Sequence, residues 1–504
     1  MTDAPARAAE TGTPGAPRPH TVVLVLAFAG IVVALMQTLV IPLIPELPTL
    51  LDASPSDATW VITTTLLAGA VATPVVGRLG DMYGKRRMLL ASLVLLVAGS
   101  TVAALSDSLV PMLVGRTLQG LAAGVIALGI SIMRDELPAE RLGAATAVMS
   151  ASLGVGGALG LPAAAFLADR ADWHVLFWSS AGFGVLAFVL VLRLVPESRV
   201  RGGGRFDVVG AVGLSTALVC LLLAISKGAD WGWSAGTTTG LFAAAAAALI
   251  LWGRWELRTR QPLVDLRTTV RPQVLLTNVT SAVFGYSMFG MSLVLPQLLQ
   301  LPEATGYGLG QSMLAVGLVM APNGLVMMAM APVSARISRS RGPKVTLMAG
   351  AVVVAAGYLL QMVMMSTVWQ LMLASSVIGA GIGLAYGAMP ALIMAAVPVS
   401  ETAAANSLNT LMRAIGTSVS SAVAGVVLAQ MTTAFGSTAV PSQNGFRVVM
   451  AIGAAAALAA FAVAAFLPRH QPPPEPAAAA AAAAGGPRAA DRPSLAAEGG
   501  RDTA

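Results

Sequence analysis

Fourteen stretches of this chain are each long and apolar enough to cross a lipid bilayer, and that repetition limits the fold more than any single motif. Spanning hydrocarbon takes about twenty apolar residues per helix, because every backbone N–H and C=O must be satisfied inside the segment. The stretches run 21–44, 58–79, 87–105, 109–131, 143–166 and 173–195, then 206–226 and 236–254. Six more follow at 274–298, 309–331, 345–365, 368–393, 404–430 and 447–467. Charged residues make up only 11 % of the 504, where a soluble chain carries about a quarter. The reading is an all-α polytopic membrane protein, with lipid as a partner over most of its surface.

The net charge of +7 could point to nucleic acid, but its placement argues otherwise. The cations form short clusters in alternate links, with no interleaved aromatics: Lys85, Arg86 and Arg87; Arg134 and Arg141; Arg199, Arg201 and Arg205. Further clusters are Arg254, Arg258, Arg260, Arg267 and Arg271, then Arg336, Arg339, Arg341 and Lys344. The other links hold Arg170, Lys227 and Arg447. This asymmetry is the positive-inside pattern. It places both termini in the cytoplasm of a cell-membrane protein and excludes a nucleic-acid partner.

One cysteine (Cys220) and three histidines (His20, His174, His470) cannot build a metal cluster or a disulfide framework. No phosphate-cradling loop is present, so no cofactor is expected and the energy source is read as an ion gradient. No Ser-His or His/Cys/Asp grouping falls within the spans, which argues against an enzyme. Residues 1–20 and the Pro- and Ala-rich tail 468–504 are expected to be disordered. The first apolar stretch is read as a permanent helix.

Three patterns carry chemistry. Between the second and third stretches lies a loop, Gly77-Arg78-Leu79-Gly80-Asp81-Met82-Tyr83-Gly84-Lys85-Arg86-Arg87. Its glycines allow tight turns and close backbone approach, and Asp81 puts a carboxylate beside three cations. Ala335 to Lys344, after the tenth stretch, echo it weakly. If the seventh and eighth stretches are an insertion, the chain is a duplicated six-helix unit, the plan of many transporters. In the fourth stretch Arg116, Gln119 and Gly120 share one helical face. An intramembrane Arg costs about 2.5–3.5 kcal/mol on insertion scales unless it faces the bundle interior. In the thirteenth, Asn406, Asn409 and Arg413 also share a face. The fifth is rich in glycine (Gly154, Gly156, Gly157, Gly160) and carries Pro162. Methionines crowd the second half, among them Met288, Met291, Met320 and Met327, and flexible thioethers suit a pocket of adaptable shape.

The 77–87 segment resembles the signature loop of the major facilitator superfamily, and Arg116-Thr117-Leu118-Gln119-Gly120 resembles that family's fourth-helix motif. Fourteen spans, with Phe206-Asp207, Asp230-Trp231-Gly232-Trp233 and Glu256 before Pro262-Leu263, are similar to its fourteen-helix drug/proton antiporter branch. The resemblance implies two six-helix bundles, 21–195 and 272–467, joined by a linker 196–271 with two extra helices. It implies a monomer exporting drugs, antibiotics or other lipophilic small molecules in exchange for protons. By the same resemblance Gly77, Gly80, Asp81, Gly84, Lys85 and Arg86 would form the conformational gate and Arg116 the coupling residue. Thr38, Gln119, Asn409 and Arg413 would line the substrate cavity. Two departures bear on this. The branch's first-helix acid is replaced by Met36, and its Gly-Pro pair in the fifth helix reads Leu161-Pro162. Two other readings are a carrier dedicated to one metabolite, in either direction, and a sensor that transports nothing.

Overall fold

The computed structural model describes residues 19–40, 43, 46–168, 170–198, 200, 202–435 and 438–468. Within them lie fourteen helices long and apolar enough to span a membrane. They are α1 (Pro19–Thr38), α2 (Trp60–Tyr83), α3 (Lys85–Ala104), α4 (Leu109–Glu136), α5 (Ala139–Ala168) and α6 (His174–Leu194). The inserted pair is α7 (Val208–Trp231) and α8 (Gly236–Arg258). The second set is α9 (Pro272–Gln300), α10 (Met313–Arg341), α11 (Pro343–Val363), α12 (Val368–Ala396), α13 (Thr402–Gln430) and α14 (Gln443–Ala465). Most of residues 1–20 and of the tail 468–504 lie outside the described residues, as do Arg199, Arg201 and His470.

Two of these helices carry internal faults with local causes. In α4 a tighter 3₁₀ turn covers Leu121–Gly124, just after Gly120. In α10 the ladder is interrupted at Met330, ahead of Pro332, which has no N–H to continue it.

Apolar side chains build one core within each set. In the first, Leu26, Leu93, Val125, Met149 and Val191 pack together; in the second, Val294, Val354, Ile382, Tyr386 and Met450 do so. The sets meet along two seams. On one, α5 lies against α10 and α12; on the other, α2 and the last turns of α4 lie against α13. The glycine-rich face of α5 is filled by helices: Gly156 faces Ala34 and Leu35 of α1, Gly154 faces Met327 of α10, and Pro162 abuts Gly317.

The inserted pair is unequal. Leu214, Leu218 and Leu222 of α7 pack over the α2–α13 seam beside Ala70, Leu408 and Leu411. In contrast α8 is only 11 % buried over its apolar window, against 83 % for α12. Its partner is α7, and most of its surface is left for lipid. One element was not foreseen: between α13 and α14 a hairpin pairs β1 (Thr432–Phe435) with β2 (Thr438–Pro441), Phe435 opposite Thr438.

Candidate functional site

Three polar assemblies interrupt this apolar protein, and the first sits at the end where the basic links gather. The sequence suggested a loop at 77–87; the structure corrects this. Helix α2 runs through Tyr83, the chain breaks at Gly84 alone, and α3 starts at Lys85. Gly84 has φ +117°, a backbone state that residues with a Cβ rarely adopt. One residue therefore turns the chain, and the motif's side chains are held on two rigid helices.

Those side chains meet the start of α13. The Ala403 and Ala404 amides donate to the two oxygens of Asp81, at 3.2 and 2.9 Å. Free amides and the helix dipole at an N-terminus favour an anion. Close approach explains Gly77: a Cβ there would collide with Ser407 and lie 2.9 Å from the Ala403 carbonyl. Lys85, fully buried, lies 2.7 Å from Asp135 Oδ2 and 3.9 Å from Asp81 Oδ1. The Ser198 hydroxyl donates to Asp135 at 2.5 Å. Arg86 points elsewhere and donates to the Leu192 carbonyl near the end of α6, at 2.5 Å.

Arg134, counted from sequence only as a topology signal, makes the complementary contact. From the end of α4 it donates to the carbonyls of Met394 (2.8 Å) and Val397 (3.1 Å) at the end of α12, and to the Thr402 hydroxyl (2.6 Å). A cation at a helix C-terminus is again the favourable sign. The two helix sets are thus tied by an acid on an N-terminus and a base on a C-terminus, on either side of the short link between α12 and α13.

The second assembly centres on Arg116, 1 % exposed. Its Nε donates to Val61 O of α2 (3.1 Å), and its Nη1 to Met36 O of α1 (3.4 Å) and to Gln119 Oε1 (2.8 Å). Gln119 Nε2 donates to Ser100 of α3 (2.8 Å), which meets Ser180 of α6 at 3.1 Å. One buried network therefore links five of the first six helices. Gly120 and Gly124 let α2 approach, facing Thr65 and Val76. Thr38 is not part of it; its hydroxyl donates to Leu35 O (2.9 Å) and faces Gly160.

The third lies between α9, α12 and α13. Asn409 donates to Asn278 at 3.0 Å and Ser281 donates to the Asn409 carbonyl at 3.2 Å. Arg413 stacks over the Tyr386 ring, 4.7 Å from its centroid, and reaches Thr410 Oγ1 at 3.4 Å. The four residues read as cavity-lining thus divide: Gln119 with Arg116, Asn409 with Arg413's helix face, and Thr38 apart. Cavities of about 430 Å³, between α9, α13 and the hairpin, and about 340 Å³, beside Arg78, Gln261 and Glu401, lie at the helix ends; none of the four lines either.

Sequence reading missed two polar residues, Asp135 and Tyr386, and misplaced a third, Glu256. Asp135 sits next to Arg134 but its partner is 50 residues away, and no local pattern signals that. Glu256, placed beyond the eighth stretch, lies inside α8 and is 2 % exposed. It faces Asp207, which caps α7 through Gly210 N at 2.8 Å and accepts from the Trp255 indole at 3.1 Å. Tyr386 looked like any other apolar-run residue. His174 is the first residue of α6, beside Asp172 and Asp107. The His174 amide donates to Asp172 and holds that carboxyl below its usual range.

Residues 26–421 match the family described as Major Facilitator Superfamily. The chain is 28 % identical over 419 residues to an uncharacterized MFS-type transporter of Mycobacterium tuberculosis, covering 81 % of this chain and 59 % of that protein. It is 30 % identical to the Tetracenomycin C resistance and export protein of Streptomyces glaucescens, over 67 % of this chain and 62 % of that one. It therefore spans about six-tenths of the length of these relatives. The crystal structure of the human organic anion transporter MFSD10 (TETRAN) shares the fold, with a TM-score of 0.64 at 16 % identity, over 89 % of this chain and 100 % of that one.

Proposed function

The chain belongs to the Major Facilitator Superfamily, and from that premise we propose that it is a secondary active exporter of lipophilic small molecules, drugs or antibiotics among them, driven by protons. The observation that carries this reading is the pair of ties at the basic end. Asp81 on the α13 amides and Arg134 on the α12 carbonyls are few, charge-assisted bonds to helix ends. Such bonds suit a contact that must form in one state and open in another. The relative from Streptomyces glaucescens, named for resistance and export, supports the direction.

In this reading the sets 21–195 and 272–467 rock against each other, 196–271 carries the inserted pair, and the chain works as a monomer with no chemistry done on the substrate. The basic end, and with it both termini, faces the cytoplasm. Gly77, Gly80, Asp81, Gly84 and Lys85 form the gate there, and Arg86 braces it from within its own set. With the ties made, the site between the sets opens outward; breaking them opens it to the cytoplasm. Thr38, Gln119, Asn409 and Arg413 contribute to the substrate path. Arg116 couples movement to protons by fixing α1, α2 and α4 in one arrangement, since a guanidinium does not itself release a proton.

The test is transport in vesicles of purified protein under an imposed pH gradient, against a panel of lipophilic compounds. Uptake or release should follow the gradient and collapse with an uncoupler. Arg116→Ala should move substrate without regard to pH; an unaltered pH dependence would return Arg116 to bracing alone.

A further inference from the structure

Among the described residues, two charged side chains lie more than six residues from the end of any spanning helix, and both are arginines, Arg116 and Arg413. Acidic side chains within the spans sit near helix ends, such as Asp81, Asp135, Asp230 and Glu256. The membrane interior of this protein is therefore electrically one-sided.

The two arginines differ in how far they are satisfied. Arg116 spends its donors on two backbone carbonyls and Gln119. Arg413 has the Tyr386 ring under one face and one long bond, 3.4 Å, to Thr410. A guanidinium carries five N–H donors, so most of its edge is unused. None of the ion pairs among the described residues includes it. Its side chain is half-buried rather than sealed. Around it stand the Tyr386 ring, whose hydroxyl lies 3.6 Å from the polarizable Met288 sulfur, and Gly285 of α9, which leaves room beside its stem.

We propose that Arg413, oriented by Tyr386, is the charge-reading element of the substrate site, and that the substrates are lipophilic organic acids rather than lipophilic cations. This rests on the transporter reading above. A planar guanidinium with a free edge matches an acidic oxygen pair, and the thioether and ring surfaces suit the apolar body of the same molecule. For a cation the same place is repulsive, because charges interact strongly where water is scarce.

The experiment uses three probes with the full-length protein: naphthalene-2-sulfonate and neutral naphthalene-2-sulfonamide, which are of similar bulk, and the larger lipophilic cation tetraphenylphosphonium. Calorimetric binding in detergent should rank the sulfonate roughly tenfold or more above the sulfonamide, as one charge-assisted contact implies. Arg413→Gln should erase that difference, and Arg413→Lys should keep part of it. Because the wild-type ranking is informative alone, a variant that fails to fold does not remove the test. Tetraphenylphosphonium bound as tightly as the sulfonate, or an Arg413→Gln protein that still prefers the sulfonate, would overturn the proposal. Vesicle transport separates the two readings. Movement of the cation without the sulfonate sinks only the substrate class, while no movement of any probe under either direction of pH gradient sinks the transport reading with it.

Discussion

The junction between α2 and α3 and its counterpart between α10 and α11 share one backbone and differ in one job. Both turn on a single glycine of positive φ, Gly84 at +117° and Gly342 at +88°. Two residues later each carries a cation that holds the carbonyl end of the last helix in its own set. Arg86 donates to Leu192 O beside the end of α6, and Lys344 to Ala465 O (2.7 Å) and Leu467 O (2.6 Å) at the end of α14. Three residues before the glycine the two diverge. The first junction places Asp81, buried, on the α13 amides. The second places Arg339, exposed. Bracing within each set is duplicated, whereas the tie across the sets is one-sided. An acid belongs on a helix N-terminus and a cation does not, so Arg339 cannot copy what Asp81 does.

The sharpest way to break this comparison is Asp81→Asn. It keeps the shape and one acceptor but loses the charge, which should cost the closed arrangement about 2 kcal/mol, roughly thirtyfold in the ratio of conformers. Transport should fall below a tenth while membrane insertion is unchanged; wild-type transport would mean the α13 contact is incidental. Next comes Arg134→Gln, which removes the opposite tie. An engineered cysteine near Thr402 should become more reactive from the basic side, and unchanged labelling would leave Asp81 as the sole tie. Smaller and paired are Arg86→Ala and Lys344→Ala. Each loses a cation from a helix C-terminus, about 1 kcal/mol, so thermal unfolding in detergent should drop by similar small amounts. A large drop in only one would show that the bracing is not duplicated. Smallest is Arg339→Gln, expected to leave both transport and stability within error.

Much of the architecture was readable locally. All fourteen spans overlap their observed helices, because a segment dissolved in lipid must satisfy its own backbone and so announces itself in its own composition; the widest miss is the tenth, read to 331 where α10 runs on to Arg341. The first stretch was read to 44, but helix α1 ends at Thr38, before the prolines. The largest error of local form was the 77–87 loop. Three glycines in eight residues look like a flexible turn. In the structure Gly77 and Gly80 are helical and serve contact, Gly77 at Ser407 and Gly80 at Leu128. Glycine composition does not distinguish a turn from a surface shaved for a neighbouring helix.

The candidate site was legible as residue types and not as partnerships. An Arg within an apolar run must be excused, and that alone singled out Arg116 and Arg413. Which of them is better satisfied depends on Met36, Val61 and Gln119 on one side and Tyr386 and Thr410 on the other. Lys85 finds Asp135 across 50 residues, and Asp81 finds Ala403 across 322.

Sequence alone therefore determined the solvent this chain lives in, the number of its helices and the few polar positions inside them, since each follows from transfer free energies of neighbouring residues. Tertiary structure alone decided that a supposed loop is a rigid corner, that the inserted α7 covers a seam, and that one intramembrane arginine is held by a buried network while the other keeps an open edge. Those outcomes turn on distances between helices, and hydrocarbon-facing segments carry no local record of which neighbour they will meet.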